Sequence, residues 1–199
     1  MLQGRRKGPR RGRRLPEVLT DEERRALLSQ PNPDCPTGLR NLCLLRLMLN
    51  AGLRAAEVLN VKTRDLNWNT GKLIVRQGKG KKDRVLWLGE DDLALLARWR
   101  EGRRAQSDLL FTTLAGERLN DRYLRAMVKR YARKAGIPRD VHPHTLRHTF
   151  ATDLYKDSHD ILVVQKALGH AYVSTTSIYT HLVDDDVEDA MLSFAKNRK

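Results

Sequence analysis

The sequence predicts a mainly α-helical fold with one small, three-stranded antiparallel β-sheet, an α+β architecture. Three observations lead to this prediction. Apolar residues recur at helical spacing over most of the chain, one central segment changes to a strand pattern, and capping residues or glycines stand at the segment ends. The chain has 199 residues, of which 40% are hydrophobic and 31% charged, as is typical of a soluble globular protein with a good core.

The first helices are predicted from a cap and from leucine content. Thr20 followed by Glu23 is a capping-box pattern, in which a hydroxyl and a carboxylate bind the free amides at a helix start. A leucine-rich helix is predicted over 39–50, closed by Gly52, and a short helix over 54–59 follows it. This order places Arg54 at an exposed helix start.

Residues 65–88 follow a strand pattern. The segments 72–76 (KLIVR) and 84–88 (RVLWL) are rich in β-branched and apolar residues, and the tip between them contains two glycines. Glycine tolerates the backbone angles of a tight turn, so a hairpin is predicted. A third short strand near 65–68 is expected to complete the antiparallel sheet.

Helical periodicity returns in the second half of the chain. The predicted helices are 91–100, then 120–135 with Asn120 as cap and Gly136 as stop, then 144–155 after Pro143, then 160–168 ended by Gly169, and a short helix capped by Ser174 that holds Tyr179. A last amphipathic helix is expected at about 184–196, because Val187, Ala190, Met191 and Phe194 form an apolar stripe. That stripe needs a surface to cover.

The charge distribution indicates a polyanionic partner. The net charge is +14 and the pI is near 10.2, and clustered Lys and Arg bind phosphates by displacing counterions. Residues 1–14 contain no acid and seven basic residues: Arg5, Arg6, Lys7, Arg10, Arg11, Arg13 and Arg14. We expect this segment to be a disordered arm until it contacts nucleic acid.

The sequence disfavours a secreted protein, a membrane-spanning protein and a cysteine-based metal site. No apolar stretch follows the N-terminal charges, as a secretory signal requires, and no run approaches the roughly 20 apolar residues of a membrane span. Cys35 and Cys43 fit no metal-binding spacing, and they are expected to be ordinary reduced thiols of a cytoplasmic protein.

One ordered set of side chains carries the prediction of function. In chain order it comprises Arg54, Lys79, His144, Arg147, His170 and Tyr179. The guanidinium group of arginine can donate two hydrogen bonds to phosphate oxygens, and its charge offsets that of a pentacoordinate phosphorane. Histidine can hold or pass a proton near neutral pH. A tyrosine hydroxyl, with a free pKa of about 10, needs such cationic surroundings to attack a phosphodiester. The set predicts DNA strand cleavage without a metal.

Each member of this set also has an ordinary interpretation. Arg54 can pair with Glu57 at i, i+3 spacing, the hairpin lysines can protect a sheet edge, and Tyr179 can be a packing residue. His144 and His148, at i, i+4, suggest zinc, but His142 is only a weak third ligand and no Cys or Glu completes the set. The combination favours phosphate chemistry because His144 and Arg147 share one helix face.

The motifs resemble those of the tyrosine site-specific recombinases, a family that includes Xer recombinases, phage and integron integrases and fimbrial invertases. The matching elements are GLRAAEVL at Arg54, GKG at Lys79, HTLR at 144–147, LGH at His170, and a tyrosine nine residues later. Their order and spacing agree over about 15–194, which is nearly the whole chain.

This resemblance implies a role for each residue. Tyr179 attacks the scissile phosphate and forms a 3′-phosphotyrosyl bond, Arg54 and Arg147 hold the non-bridging oxygens, and Lys79 protonates the leaving 5′-oxygen. His144 and His170 position the phosphate and manage the tyrosine proton, while Glu57 orients the site. Lys81 and Lys82 share the hairpin tip as DNA-binding residues, and either is an alternative to Lys79. Neither ATP nor a metal cofactor is required.

The expected domain organisation departs from the family pattern at the N-terminus. Most relatives carry a separate helical domain that closes a clamp on DNA, whereas here only the arm, 1–14, precedes the expected catalytic domain, 15–199. The chain is either a naturally short form or a fragment of a longer integrase. Without a clamp, we expect weak, salt-sensitive binding to double-stranded DNA.

The sequence is compatible with several assemblies and biological roles. The resemblance implies a tetramer on two DNA sites, with the last helix either docked on a neighbouring protomer or covering its own domain, and it allows accessory DNA-bending proteins. A type IB topoisomerase-like activity and a DNA-binding regulator that no longer recombines are the alternative functions. Integration, excision, inversion and dimer resolution all use this chemistry.

Overall fold

The structure, a computed structural model, describes residues 17–76, 83–103 and 106–169. In these residues the elements are α1 (Asp21–Leu28), α2 (Pro36–Asn50), α3 (Ala55–Asn60), β1 (Lys72–Val75), β2 (Arg84–Trp87), α4 (Glu90–Gly102), α5 (Asp121–Lys134), α6 (Pro143–Ser158) and α7 (Ile161–Leu168). The mainly helical prediction with a small antiparallel sheet is confirmed. The predicted arm, the hairpin tip, the helix of Tyr179 and the last helix lie outside the described residues.

Helix α2 lies at the centre of the main core, packed against α4 and α6. Leu44, Leu45, Leu47 and Met48 follow one another around this helix, and all four are buried. A helix that buries apolar residues over most of its surface is stable only when other elements surround it. The leucine-rich segment is therefore the element on which the others assemble.

The predicted helix ends are formed by the expected contacts. The Thr20 hydroxyl accepts a hydrogen bond from the Glu23 amide at 3.2 Å, and the Glu23 carboxylate accepts one from the Thr20 amide at 2.9 Å. Asn120 caps α5 by accepting from the Tyr123 amide at 2.7 Å. Gly136 and Gly169 end α5 and α7 with positive φ angles of 72° and 64°, which favour glycine.

The sheet contains two strands in the described part of the chain. β1 and β2 run antiparallel, with Lys72 opposite Trp87 and Val75 opposite Arg84. This register confirms the hairpin. It also turns Arg84 and Leu86 toward the protein interior, since both are buried while Trp87 is exposed.

The predicted third strand near 65–68 is wrong. Residues Thr63–Asp65 form a 3₁₀ turn, and the segment pairs with β1 only through a single bridge from Leu66 to Leu73. The buried Asp65 carboxylate accepts from the Lys62 amide at 3.0 Å and pairs with Arg76 at 2.7 Å. This side-chain capping stabilises a turn at the start of the segment where a strand was expected.

A smaller apolar cluster joins α6 to α7. Ala151 and Tyr155 of α6 pack with Val164 and Leu168 of α7. This contact fixes the C-terminal end of α7 beside α6. That end of α7 contributes to the site described below. None of the described helices is both long enough and apolar enough to span a membrane.

Candidate active site

Glu57 binds both the backbone and the side chain of Arg54 at the start of α3. Its carboxylate accepts from the Arg54 amide at 2.8 Å and from Arg54 Nη1 at 2.7 Å. Arg54 and Glu57 therefore do form the i, i+3 ion pair of the ordinary interpretation. The Arg54 side chain remains 36% exposed, whereas the Glu57 side chain is only 9% exposed. Glu57 therefore holds part of the Arg54 side chain, while the rest remains accessible to solvent.

Arg84 is a second partner of Glu57, which the sequence motifs do not indicate. Its Nη1 and Nη2 donate to the two Glu57 oxygens at 2.9 Å each, and its Nε donates to the Ala167 carbonyl at 2.7 Å. The signal was present in the strand pattern, because Arg84 occupies the same face as Leu86. An inward-facing arginine needs a buried carboxylate, and Glu57 is that carboxylate.

Arg147 completes the cluster from α6. Its Nη1 donates to the Gly52 carbonyl at 2.6 Å and lies 3.7 Å from a Glu57 oxygen, while its Nη2 donates to the Leu168 carbonyl at 2.7 Å. The structure therefore brings Arg54, Glu57 and Arg147 together, although 93 residues separate Arg54 from Arg147 in the sequence. Helices α3 and α6 and the end of α7 all contribute to this cluster.

The charges of the cluster sum to an excess of positive charge. Burial raises the pKa of Glu57, but hydrogen bonds and charge from Arg84, followed by the hydrogen bonds from Arg54, outweigh burial and lower that pKa to about 2. Glu57 is therefore ionised at neutral pH. Three guanidinium groups surround one carboxylate, which leaves a net charge of about +2 beside the exposed face of Arg54. Such a site attracts an anion.

His144 lies in the first turn of α6, one turn before Arg147, and its side chain is exposed. Its pKa is lowered by partial burial first, and then by the positive charges of His142, Arg147, Arg125 and Arg54. The imidazole is therefore neutral at neutral pH and can accept a proton or a hydrogen bond. His144 therefore lies within electrostatic range of Arg147 and Arg54.

His142 has a structural function that its spacing to the other histidines does not indicate. Its Nδ1 accepts a hydrogen bond from the Thr145 amide at 3.2 Å, so it caps α6 ahead of Pro143. No three His, Cys, Asp or Glu side chains within 17–76, 83–103 and 106–169 are grouped so as to hold a metal ion.

A cleft of about 530 Å³ opens beside Arg54. Arg54, Lys62 and Arg76 contribute cationic groups to its lining, and the carboxylates of Glu57 and Asp65, which also line it, are each paired with an arginine. The cleft extends from the cluster toward β1.

The other predicted site residues lie outside the described residues. They are Lys79, Lys81 and Lys82 of the hairpin tip, His170, Tyr179, and the seven basic residues of the arm. Gly169, which ends α7, directly precedes His170 in the sequence.

The chain matches the description "Phage integrase family" over residues 17–185. It belongs to the phage integrase family. This match covers the cluster of Arg54, Glu57, Arg84 and Arg147 and continues through His170 and Tyr179.

Relatives in the phage integrase family include Xer recombinases. The chain is 41% identical over 175 residues to the tyrosine recombinase XerD of Ralstonia nicotianae, covering 85% of this chain and 57% of the relative. It is 38% identical over 177 residues to XerC of Xanthomonas axonopodis pv. citri, covering 88% of this chain and 57% of the relative. The chain thus spans between half and two thirds of the length of these relatives.

Solved structures in the phage integrase family share the fold. The XerA recombinase structure has a TM-score of 0.77 and 31% identity, covering 93% of this chain and 66% of that one. The XerH recombinase bound to palindromic difH substrate, in a post-cleavage complex, has a TM-score of 0.76 and 35% identity, covering 89% of this chain and 53% of that one. The fold is therefore that of a tyrosine recombinase catalytic domain.

Proposed function

We propose that this chain cleaves and rejoins DNA strands at specific sites through a 3′-phosphotyrosyl intermediate. The observation that carries the proposal is the cluster of Arg54, Arg84 and Arg147 around Glu57, with His144 one helical turn before Arg147 on α6. A cationic cluster with an exposed arginine fits a phosphodiester. Membership of the phage integrase family and the Xer relatives support the same reaction.

The roles of the two predicted phosphate-binding arginines differ in detail. Arg54 is partly exposed, so its guanidinium reaches a non-bridging oxygen directly. Arg147 is buried and holds the carbonyls of Gly52 and Leu168, so it supports the phosphate from beneath the surface by charge and position. Glu57 positions Arg54 and takes no part in bond making.

The proposed cleavage step is a displacement at phosphorus. The Tyr179 oxygen forms a bond to phosphorus, the bond from phosphorus to the 5′-oxygen breaks, and the strand is left with a free 5′-hydroxyl. Lys79 supplies the proton to that 5′-oxygen, and the pair of His144 and His170 positions the phosphate and takes up the proton of the tyrosine. A 5′-hydroxyl of a partner strand reverses the step and completes strand exchange, and neither ATP nor a metal takes part.

The proposed substrate is double-stranded DNA. The arm, residues 1–14, supplies contacts that depend on charge and not on base sequence, and residues 15–199 form the catalytic domain ending in the helix at about 184–196. Lys81 and Lys82 add contacts from the hairpin tip. The active assembly is a tetramer on two DNA sites, assisted by DNA-bending proteins where the site requires them. Because its substrate is DNA, we place the chain in the cytoplasm.

The experiment is covalent trapping in EDTA. Wild type and Tyr179→Phe are incubated with nicked duplexes that lose the short 5′-hydroxyl strand after cleavage, tiled from DNA flanking the gene and including a palindromic site of the kind bound by XerH. A protein–DNA band on a denaturing gel from wild type alone supports the proposal. DNA binding without a band on any duplex contradicts cleavage and favours a regulator, and a band from Tyr179→Phe contradicts the assignment of the nucleophile.

A further inference from the structure

Arg84 has a set of contacts unlike those of a solvent-exposed arginine on a strand. It is 8% exposed, and its guanidinium binds both oxygens of Glu57 and the carbonyl of Ala167. These hydrogen bonds tie β2 to α3 and to the last turn of α7. Burying an arginine costs free energy unless a carboxylate and further acceptors surround it. Here Nε, Nη1 and Nη2 of Arg84 each have an acceptor.

Glu57 is shared between Arg84 and Arg54. Its Oε1 accepts from both Arg54 Nη1 and Arg84 Nη1, and its Oε2 accepts from the Arg54 amide and from Arg84 Nη2. The bidentate contact with Arg84 fixes the rotation of the carboxylate, since two parallel hydrogen bonds permit a single orientation. The position of the Arg54 guanidinium therefore depends on Arg84, although no hydrogen bond joins these two arginines.

Arg84 also acts on the end of α7. The last carbonyls of a helix have no partner within the helix, and a cation beside them is favourable. Arg84 binds the carbonyl of Ala167, and Arg147 binds that of Leu168. Two adjacent carbonyls are thus held by two arginines of the same cluster, so the end of α7 is aligned with Glu57.

We propose that Arg84 is a positioning residue for strand cleavage, acting through Glu57 on Arg54 without itself touching the DNA. This inference rests on the proposed function. The competing interpretation is that Arg84 only stabilises the fold. Only the positioning role predicts that loss of the bidentate contact between Arg84 and Glu57 slows cleavage by protein that is folded and bound to DNA.

The chain offers a matched control in Arg139. This arginine also binds a carboxylate, Glu23, through both Nη1 and Nη2, and it donates to the backbone carbonyl of Val18 at 2.7 Å. It shares no hydrogen-bond partner with Glu57. Arg139→Lys therefore removes the same kind of fork at a place outside the cluster.

The experiment compares Arg84→Lys with Arg139→Lys, using the nicked duplex that gives a covalent adduct with wild type. Lysine keeps the charge but cannot bind both carboxylate oxygens in the same plane. Single-turnover cleavage is measured with protein in excess and expressed per DNA-bound molecule, and thermal unfolding is recorded for each variant. Arg84→Gln, which keeps one donor without the charge, is measured in the same way in case Arg84→Lys is too unstable.

We expect Arg84→Lys to bind DNA and to cleave at least about tenfold more slowly than Arg139→Lys, since misplacing a group that holds the phosphate is costly. In a Glu57→Gln background, Arg84→Lys should slow cleavage by less than about twofold further, because its effect passes through Glu57. Equal cleavage by Arg84→Lys and Arg139→Lys overturns the inference, as does an undiminished effect in the Glu57→Gln background. If wild type and Arg139→Lys both bind without forming an adduct, the proposed function itself fails.

Discussion

The guanidinium of Arg147 donates a 2.6 Å hydrogen bond to the carbonyl oxygen of Gly52. This bond ties α6 to the segment that leads into α3 and Arg54. Gly52 has a positive φ of 60°, and a Cβ placed there would lie 2.2 Å from Cδ1 of Phe150, also on α6. Both the backbone angle and the close approach therefore require glycine at this position.

Gly52→Ala is expected to destabilise the fold by about 2–4 kcal/mol, because the strained φ and the clash with Phe150 add together. Gly136→Ala is the control. Gly136 also has a positive φ, 72°, but an added Cβ would meet nothing within 4 Å, so we expect about 1–2 kcal/mol. Urea unfolding of both variants measures the difference. Equal free energies of unfolding would show that the contact with Phe150 does not matter.

Glu57 is expected to make the fold sensitive to acid. Its pKa is about 2 in the folded protein against an ordinary value of 4.5, so its contribution is complete above about pH 5 and is lost as the pH falls toward 2. The shift corresponds to about 3 kcal/mol. We expect the free energy of unfolding of wild type to fall more steeply than that of Glu57→Gln between pH 5 and pH 3. Parallel curves would contradict the ionised, triply paired carboxylate.

His144 is expected to take up a proton when DNA binds. Partial burial first, and then the positive charges around it, lower its pKa in the free protein, and a DNA phosphate placed beside it offsets those charges and raises the pKa again. Affinity should therefore fall as the pH rises through the pKa of the bound form. Titration calorimetry in buffers with different ionisation enthalpies, at about pH 6, measures the protons taken up.

The matched variants for this proton uptake are His144→Gln and His159→Asn. His159 is exposed at the other end of α6 and has a positive φ of 49°, which asparagine tolerates. Uptake should decrease in His144→Gln and persist in His159→Asn. A decrease in both variants, or in neither, would show that His144 does not face the bound phosphate.

The arm is expected to bind DNA through charge alone. Replacing its seven basic residues with Gln keeps the length of residues 1–14 and removes half of the net charge of +14. The logarithm of the binding constant should then depend less steeply on the logarithm of the salt concentration, by about 0.9 for each DNA phosphate that the arm no longer neutralises. Fluorescence anisotropy from about 50 to about 300 mM salt measures both slopes. An unchanged slope would mean that the arm does not bind DNA phosphates.

Local patterns predicted most of the described helices. Thr20 with Glu23, Asn120, Gly136 and Gly169 mark real helix ends, because capping depends on neighbouring residues alone. The predicted third strand was wrong because Asp65 instead accepts hydrogen bonds from Lys62 and Arg76, and the sequence pattern did not show these contacts.

The sequence predicted the site residues that belong to motifs, but not those whose role depends on packing. Arg54, Glu57 and Arg147 belong to motifs, and the structure brings these three together. Arg84 was missed because its meaning depends on which face of β2 turns inward, and on a carboxylate 27 residues earlier. His142 was considered as a ligand, although its position before Pro143 is that of a helix cap.

The measurement that tests the central claim most directly is mass spectrometry of the covalent protein–DNA complex after nuclease and trypsin digestion. Trypsin cleavage after Lys166 and Lys196 releases residues 167–196, which contain two tyrosines, Tyr172 and Tyr179. We predict a nucleotide linked through its 3′-phosphate to Tyr179. A nucleotide on Tyr172, on any other residue, or linked through a 5′-phosphate would contradict the mechanism.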